Sequence, residues 1–236
     1  MGQYAQIKRE LGKLKDSKKA AILARFFKTG KGEYAEGDRF LGVVVPKQRE
    51  IAKKYPHATL SDVQKLLGSK IHEQRLTALF ILINQYKKGS DTKKEQIVNF
   101  YLSNITNINN WDLVDLSAGN ILGDFLQDKD KTVLYQFAKS EFLWERRISI
   151  IATISFIKKG MFEDTCKIAE ILLFDQHDLV QKAVGWMLRE IGKKNQKTEE
   201  DFLVKHFRKM PRTALRYAIE KFSSQKRNYY LDRTKK

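Results

Sequence analysis

Residues able to do chemistry stand out first in INNWDLVDLSAGNILGDFL, residues 108–126. On a helix Trp111 and Asp115 are four apart and share a face, with Gly119 next along it. A carboxylate shouldered by an indole and a glycine-thinned surface can be held rigidly near a bound group. Asn110 can cap this helix, and Asp112 gains from its positive end. Asp115 as a second acid of that kind is the plainer reading of the same spacing. Over 178–193, Val180, Val184, Met187, Leu188 and Ile191 form a core stripe at roughly 100° per residue. Trp186 falls on the opposite side, one turn from Lys182, Arg189 and Glu190. A large ring beside two cations suits contact with DNA or a nucleotide; packing beneath a further helix is the alternative. In 144–159 the anomaly is reversed, because Arg147 falls within the stripe of Trp144, Ile148, Ile151 and Ile154. An unpaired buried guanidinium is costly, so Arg147 needs an acidic partner or a lined groove. Arg146 points elsewhere and reads as ordinary surface. No one of these motifs is decisive alone.

The elements that must position these groups are helices. Three prolines and thirteen glycines in 236 residues leave few breakers, and alternating strand patterns are scarce. Amphipathic runs predict helices near 4–14, 18–28, 47–55, 60–69, 71–87, 92–105, 111–126, 131–139, 144–159, 162–174, 178–193, 198–209 and 212–222. A basic tail follows from about residue 223. Ser61, Asp91 and Thr198 are candidate caps, and Pro46 and Pro211 stand where proline opens a helix. Thr29 to Val45 is the longest irregular stretch and carries four glycines. Arg75, Trp111, Arg147 and Lys182 recur at spacings of 36, 36 and 35 residues, each near the start of a long apolar helix. Such a period, with about two helices per unit, predicts an all-α fold. We expect a curved α-solenoid of antiparallel helix pairs forming one domain over 1–236, with the recurring basic and aromatic residues along one side.

The formal net charge is +17, and from Leu203 to Lys236 eleven Lys or Arg face only Glu220 and Asp232. Such an excess attracts polyanions and steers their encounter. Nucleic acid is the better match. An anionic membrane is the weaker one, since no basic segment also carries an exposed apolar face. Lys47, Arg75, Lys182, Arg189, Arg212 and Arg216 are the candidate DNA-binding cations. No stretch approaches the roughly 20 apolar residues of a membrane span, and the start has no apolar signal core. The lone Cys166 excludes a disulfide framework or a cysteine-based zinc site and fits a reducing cytoplasm. His57, His72, His177 and His206 lack metal-ligand spacing, and no Walker loop, GxSxG or dinucleotide fingerprint occurs. Any enzyme here works by placing carboxylates and cations, with no metal and no cofactor.

These same residues are where the chain resembles the AlkD family of DNA alkylation-repair glycosylases, which are built from HEAT-like repeats. The likeness runs along nearly the whole length. It is strongest in FLGVVVPKQREI (40–51), WDLVDLSAGNILGDFL (111–126), LWERRISIIATISFIKK (143–159) and VQKAVGWMLREIGKKN (180–195). The family's WDxxD-like motif falls on Trp111, Asp112 and Asp115, its repeat-helix arginine on Arg147 and its later tryptophan on Trp186. The resemblance implies hydrolysis of the N-glycosidic bond of cationic N3- or N7-alkylated purines, such as 3-methyladenine and 7-methylguanine, in double-stranded DNA. It also implies that the lesion is not flipped into a pocket, unlike in most glycosylases. By the same resemblance Asp115 stabilises the oxocarbenium-like sugar and positions the attacking water. Trp111 and Trp186 pack on the deoxyribose, and Arg147 holds a backbone phosphate. No general acid is needed, because an alkylated purine leaves as a neutral base. A cytoplasmic monomer is expected.

Two departures matter. ARFFK, with Phe26 and Phe27, stands where relatives of the characterised glycosylase carry a tyrosine. Val43-Val44-Val45 stands where they carry a polar residue. Tyr34 or Arg39 would then have to supply the lost polar contacts. Some branches of the family bind DNA, branched DNA included, without excising these bases. A non-catalytic DNA-structure binder is therefore the competing expectation, and a repeat scaffold for proteins a third.

Overall fold

The computed structural model describes residues 2–232, and the end of the expected tail, 233–236, lies outside them. The described residues form helices joined by turns and irregular stretches, and they hold an isolated backbone bridge between Arg39 and Ile71. The all-α expectation is met. The helices belong to two compact units that part between Ser117 and Ala118.

The first unit holds α1 (Gln3–Lys13), α2 (Ser17–Phe26), α3 (Val45–Lys54), α4 (Leu60–Leu67), α5 (His72–Lys88), α6 (Asp91–Ser103) and α7 (Trp111–Ser117). Every residue from His72 to Ile83 is buried, as expected for a helix that is covered on all sides. α3 and α4 both pack against it. The caps sit just outside the helices, one to three residues before the residues expected to cap. Thr59, with extended backbone, accepts the Asp62 N–H at 3.1 Å and so replaces Ser61. Ser90 replaces Asp91 at α6. An N-cap must accept from the first turn, and Ser61 and Asp91 already lie within it.

The glycine-rich stretch between α2 and α3 is fastened at its end. The Glu73 carboxylate, 1% exposed, accepts the backbone N–H groups of Leu41, Gly42 and Val43 at 2.8–3.2 Å. Gly42 has φ 86°, and a Cβ there would run into the Asp16 carbonyl. The stretch is thus tied to the start of α5 and lies directly against α2. α2 itself buries no residue.

The second unit holds α8 (Thr132–Ala138), α9 (Leu143–Ala152), α10 (Ile154–Lys158), α11 (Glu163–Ile171), α12 (Asp178–Lys194), α13 (Gln196–His206), α14 (Arg212–Ala218) and α15 (Ser224–Leu231). The expected stripe of α12 is buried and packs on α9, α13 and α14. A Cβ at Gly185 would strike the Ala214 carbonyl, so this glycine sets the approach of α14. Asn195, not Thr198, caps α13; the Thr198 amide is the donor, at 3.1 Å.

Two helices expected to be continuous are interrupted. α7 stops at Ser117 and a π-helical turn covers Gly119–Gly123. Thr153 parts α9 from α10, its hydroxyl donating back to the Ile150 carbonyl at 2.7 Å. A Cβ at Gly119 would meet the Ile154 side chain, and one at Gly123 the Ala152 carbonyl. Gly119 is therefore buried for close packing and does not thin a binding surface. The expected tail from about 223 opens with α15 instead. Ser223 caps it, and buried Tyr230 packs on Phe207 at 5.3 Å and Phe222 at 5.7 Å.

Candidate functional site

The site in the first unit is built from the start of α7. Asn110 opens the helix: its Oδ1 accepts the Trp111 N–H at 2.8 Å and its carbonyl accepts the Val114 N–H at 3.1 Å. Leu113 and Val114 are buried below, while Trp111 and Asp115 are half-buried. The indole is fixed by other rings. It stacks on Phe27 with centroids 5.0 Å and planes 13° apart, and Phe26 meets it edge-on at 5.7 Å. Phe27 stacks in turn on Phe40 at 5.1 Å and lies 4.9 Å from the His72 ring. Phe40 and His72 stack at 4.7 Å.

Behind these rings lies a buried chain of charge. His72 Nε2 is 2.8 Å from Asp112 Oδ2, and its Nδ1 is 3.2 Å from Asp38 Oδ2. Arg75 Nη2 donates to the same Asp38 oxygen at 2.5 Å, and its Nη1 donates to the Ser69 carbonyl at 3.0 Å. Burial alone would discharge His72, but the charge of Asp112 and hydrogen bonds to Asp112 and Asp38 outweigh it and raise its pKa. Asp38 is likewise penalised by burial, yet His72 and Arg75 hold its carboxyl below the usual range. The other Asp112 oxygen, Oδ1, is buried without a hydrogen-bond partner.

The second unit carries the remaining candidates. Trp186 is half-buried on α12, and its indole N–H donates to Glu190 at 3.0 Å. Its side chain therefore lies outside the core stripe, as the spacing predicts. Lys182, one turn earlier, pairs with Asp178 at 2.7 Å. Arg147 is 4% exposed and donates to the Leu179 carbonyl. Its neighbour Arg146, expected as ordinary surface, is engaged as well. It reaches the buried Asp175 carboxylate at 2.6 Å and the Ser140 and Glu141 carbonyls at 3.0 and 2.8 Å.

Of the six candidate DNA-binding cations, two are engaged within the protein. Arg75 is 4% exposed and consumed by Asp38 and the Ser69 carbonyl. Arg189 is mostly covered and ion-paired with Glu220. Lys47 is exposed beside Glu50 at 2.8 Å, and Arg212 and Arg216 are exposed on α14. Phe26 and Val44 are 62% and 45% exposed. Arg39 is exposed, and Tyr34 is half-buried with Lys28 over its ring. His72, Asp38 and Phe40 were missed as site-builders. Nothing in sequence spacing links His72 to Asp112, forty residues apart, whereas ARFFK was visible only as a departure.

The family model described as DNA alkylation repair enzyme matches residues 7–222. A solved structure described as a predicted DNA alkylation repair enzyme from Enterococcus faecalis aligns with a TM-score of 0.69. It is 16% identical, over 89% of this chain and 97% of that one. AlkD2 from Streptococcus mutans aligns with a TM-score of 0.56 at 17% identity, over 88% of this chain and 99% of its own. At such identities these structures speak for the fold. No curated protein matches the sequence.

Proposed function

Since the chain belongs to the DNA alkylation repair enzyme family, we propose that it is a monofunctional DNA glycosylase. In this reading it excises cationic N3- or N7-alkylated purines from duplex DNA, as a cytoplasmic monomer and without flipping the lesion. The observation that carries the reading is the Trp111 indole, locked by Phe27 and Phe26, with the half-buried Asp115 one helical turn away. A fixed carboxylate and a fixed π-face stabilise positive charge as it develops on a sugar, without having to reorganise at that moment. The departing purine is already cationic and leaves neutral, so no acid is required. Asp115 also orients the water. Trp186 packs on deoxyribose with its N–H satisfied by Glu190. Arg147, anchored on the Leu179 carbonyl, offers a fixed charge to a backbone phosphate. Lys47, Lys182, Arg212 and Arg216 add contacts that salt weakens.

The test is release of 7-methylguanine from duplex DNA by the native chain and by Asp115→Asn. We expect release from the native protein and a rate about 10²-fold lower for the variant, the scale of losing one electrostatic stabiliser. Equal rates would remove Asp115 from the mechanism, and no release from either would remove the glycosylase. The exposed Phe26 and Val44, where polar contacts would be expected, favour a second reading: a non-catalytic binder of DNA structure. That reading requires tighter binding to junctions or flaps than to plain duplex. A log–log salt slope near about −5, the value for roughly six phosphates, would separate both from a scaffold for proteins.

A further inference from the structure

The chain of Arg75, Asp38, His72 and Asp112 is not used by the chemistry just described, yet it lies directly behind the Trp111 stack. We propose that His72 is held as an imidazolium between Asp38 and Asp112, and that this buried charge positions Trp111, making His72 a positioning residue of the site. The positioning consequence rests on the glycosylase reading; the charge state does not.

Hydrogen-bond inventory carries the first half. A neutral imidazole has one N–H, while an imidazolium has two. Each ring nitrogen of His72 faces a buried carboxylate, at 2.8 Å for Asp112 and 3.2 Å for Asp38. Only the imidazolium donates to both. The neutral form has a single way to be satisfied, with Nε2–H toward Asp112 and Nδ1 accepting from Arg75 Nη2 at 3.4 Å. That arrangement turns a ring lone pair toward the Asp38 oxygen. It also leaves two buried carboxylates facing one cation, and uncompensated buried charge is heavily penalised. With His72 charged, two anions and two cations balance. Around the ring, the first turn of α5 supplies Arg75, the preceding stretch supplies Asp38 and α7 supplies Asp112. Glu73, also on α5, is committed to the amides of 41–43. The neighbour that follows α2 is the neutral Phe27.

The second half follows from connectivity. His72 reaches Trp111 by two routes: through Asp112, its neighbour in the chain, and through the Phe27 ring, which stacks on Trp111 and lies tilted against His72. Losing the imidazolium proton would release one route and turn a stabilised ring stack toward a net negative cluster. Trp111 and Asp115 share α7, so displacement of one moves the other.

Side-chain nitrogen NMR on the full chain decides the charge. At about pH 7.5, a full unit above the ordinary histidine range, both His72 nitrogens should carry protons, and a neutral His72 overturns the proposal. The Trp111 indole resonance should move with His72 as the pH is raised; an indole indifferent to that titration overturns the positioning role. Asp112→Asn keeps the shape and removes one carboxylate. It should bring the His72 titration to lower pH and carry the pH profile of single-turnover excision with it. The excision rate should fall at least about tenfold, as expected when a reacting group is slightly misplaced, while DNA affinity changes less than about twofold. A profile that stays in place would make the role merely structural and overturn the proposal. A native protein that excises nothing would instead fail the glycosylase reading, and the two NMR outcomes would still decide on His72.

Discussion

The two units build the foot of a long helix with the same parts and shift a histidine in opposite directions. In the first, Arg75 donates to the carbonyl six residues before it and to buried Asp38. In the second, Arg146 does the same with the Ser140 carbonyl and buried Asp175. Each has a histidine nearby. His72 faces two carboxylates and its pKa is raised. His177 accepts the Leu179 N–H on Nδ1 at 3.2 Å, which a proton there would forbid, and burial lowers its pKa. Residue type therefore does not settle what a histidine does. The hydrogen-bond partner does: two acceptors hold a proton in place, and a donor keeps it away.

The strongest way to break this comparison is to remove the shared acid. Asp38→Asn leaves Arg75 and His72 without their common carboxylate, and urea unfolding should show a loss of about 3–5 kcal/mol. Asp175→Asn removes the charge facing Arg146, which is one-fifth exposed, and its amide oxygen can still accept the His177 N–H, so the loss should be about half as large. Equal losses would mean that His72 adds nothing to the first unit.

A buried acid in the second unit sharpens the contrast. Glu199 lies against Gly192 with Oε1 unpartnered. Burial, then Glu200, push its carboxyl up to about 8, against the pull of Arg189. With the folded pKa above the ordinary 4.5, the contribution of Glu199 is complete below that value and is lost as the pH rises through about 8. Glu199→Gln removes this loss, so near about pH 9 it should unfold about 2 kcal/mol less readily than the native chain. If the two stay equal there, burial does not raise the Glu199 carboxyl.

The histidines themselves give a smaller and oppositely signed pair of effects. The contribution of His72 is complete below 6.5 and is lost as the pH rises through its raised pKa. That of His177 is present above 6.5 and is lost as the pH falls through its lowered one. His177→Asn keeps an acceptor for the Leu179 N–H and should flatten only the acid limb of the stability profile. Flattening of the alkaline limb would reverse the assignment. The least effect is expected at the surface. Lys182→Ala and Arg216→Ala should leave unfolding unchanged, and each should reduce the salt slope of DNA binding by about one.

Helix positions were legible because each buried stripe repeats along its own segment, as Val180 to Ile191 do. Local chemistry was less so. Thr59, Ser90 and Asn195 cap because they stand outside the first turn, a one-to-three-residue distinction that composition does not make. The breaks at Ser117 and Thr153 arise where Gly119 and Gly123 admit α9 and α10, which is packing rather than pattern. The repeat was read by charge, which aligned Arg147 with Arg75. By its hydrogen bonds the counterpart of Arg75 is Arg146, and Gln181 continues the series onto the Asp175 carbonyl at 2.8 Å. Among the candidate site residues, Trp111, Asp115 and Trp186 were visible as departures from the stripe. The His72–Asp112 link was not, because only the fold brings them together.

α2 has its own consequence. A helix that buries no side chain adds little to the cooperative core. It is held by the Asp16 N–H on the Leu41 carbonyl at 2.8 Å, the close approach of Gly42, and Phe27 just beyond its end. Its amide hydrogens should therefore exchange with solvent through local opening, far faster than those of α5, which share the stability of the whole unit. Slowing of that exchange when DNA is added would make α2 a reporter of occupancy, readable before any bond is cut.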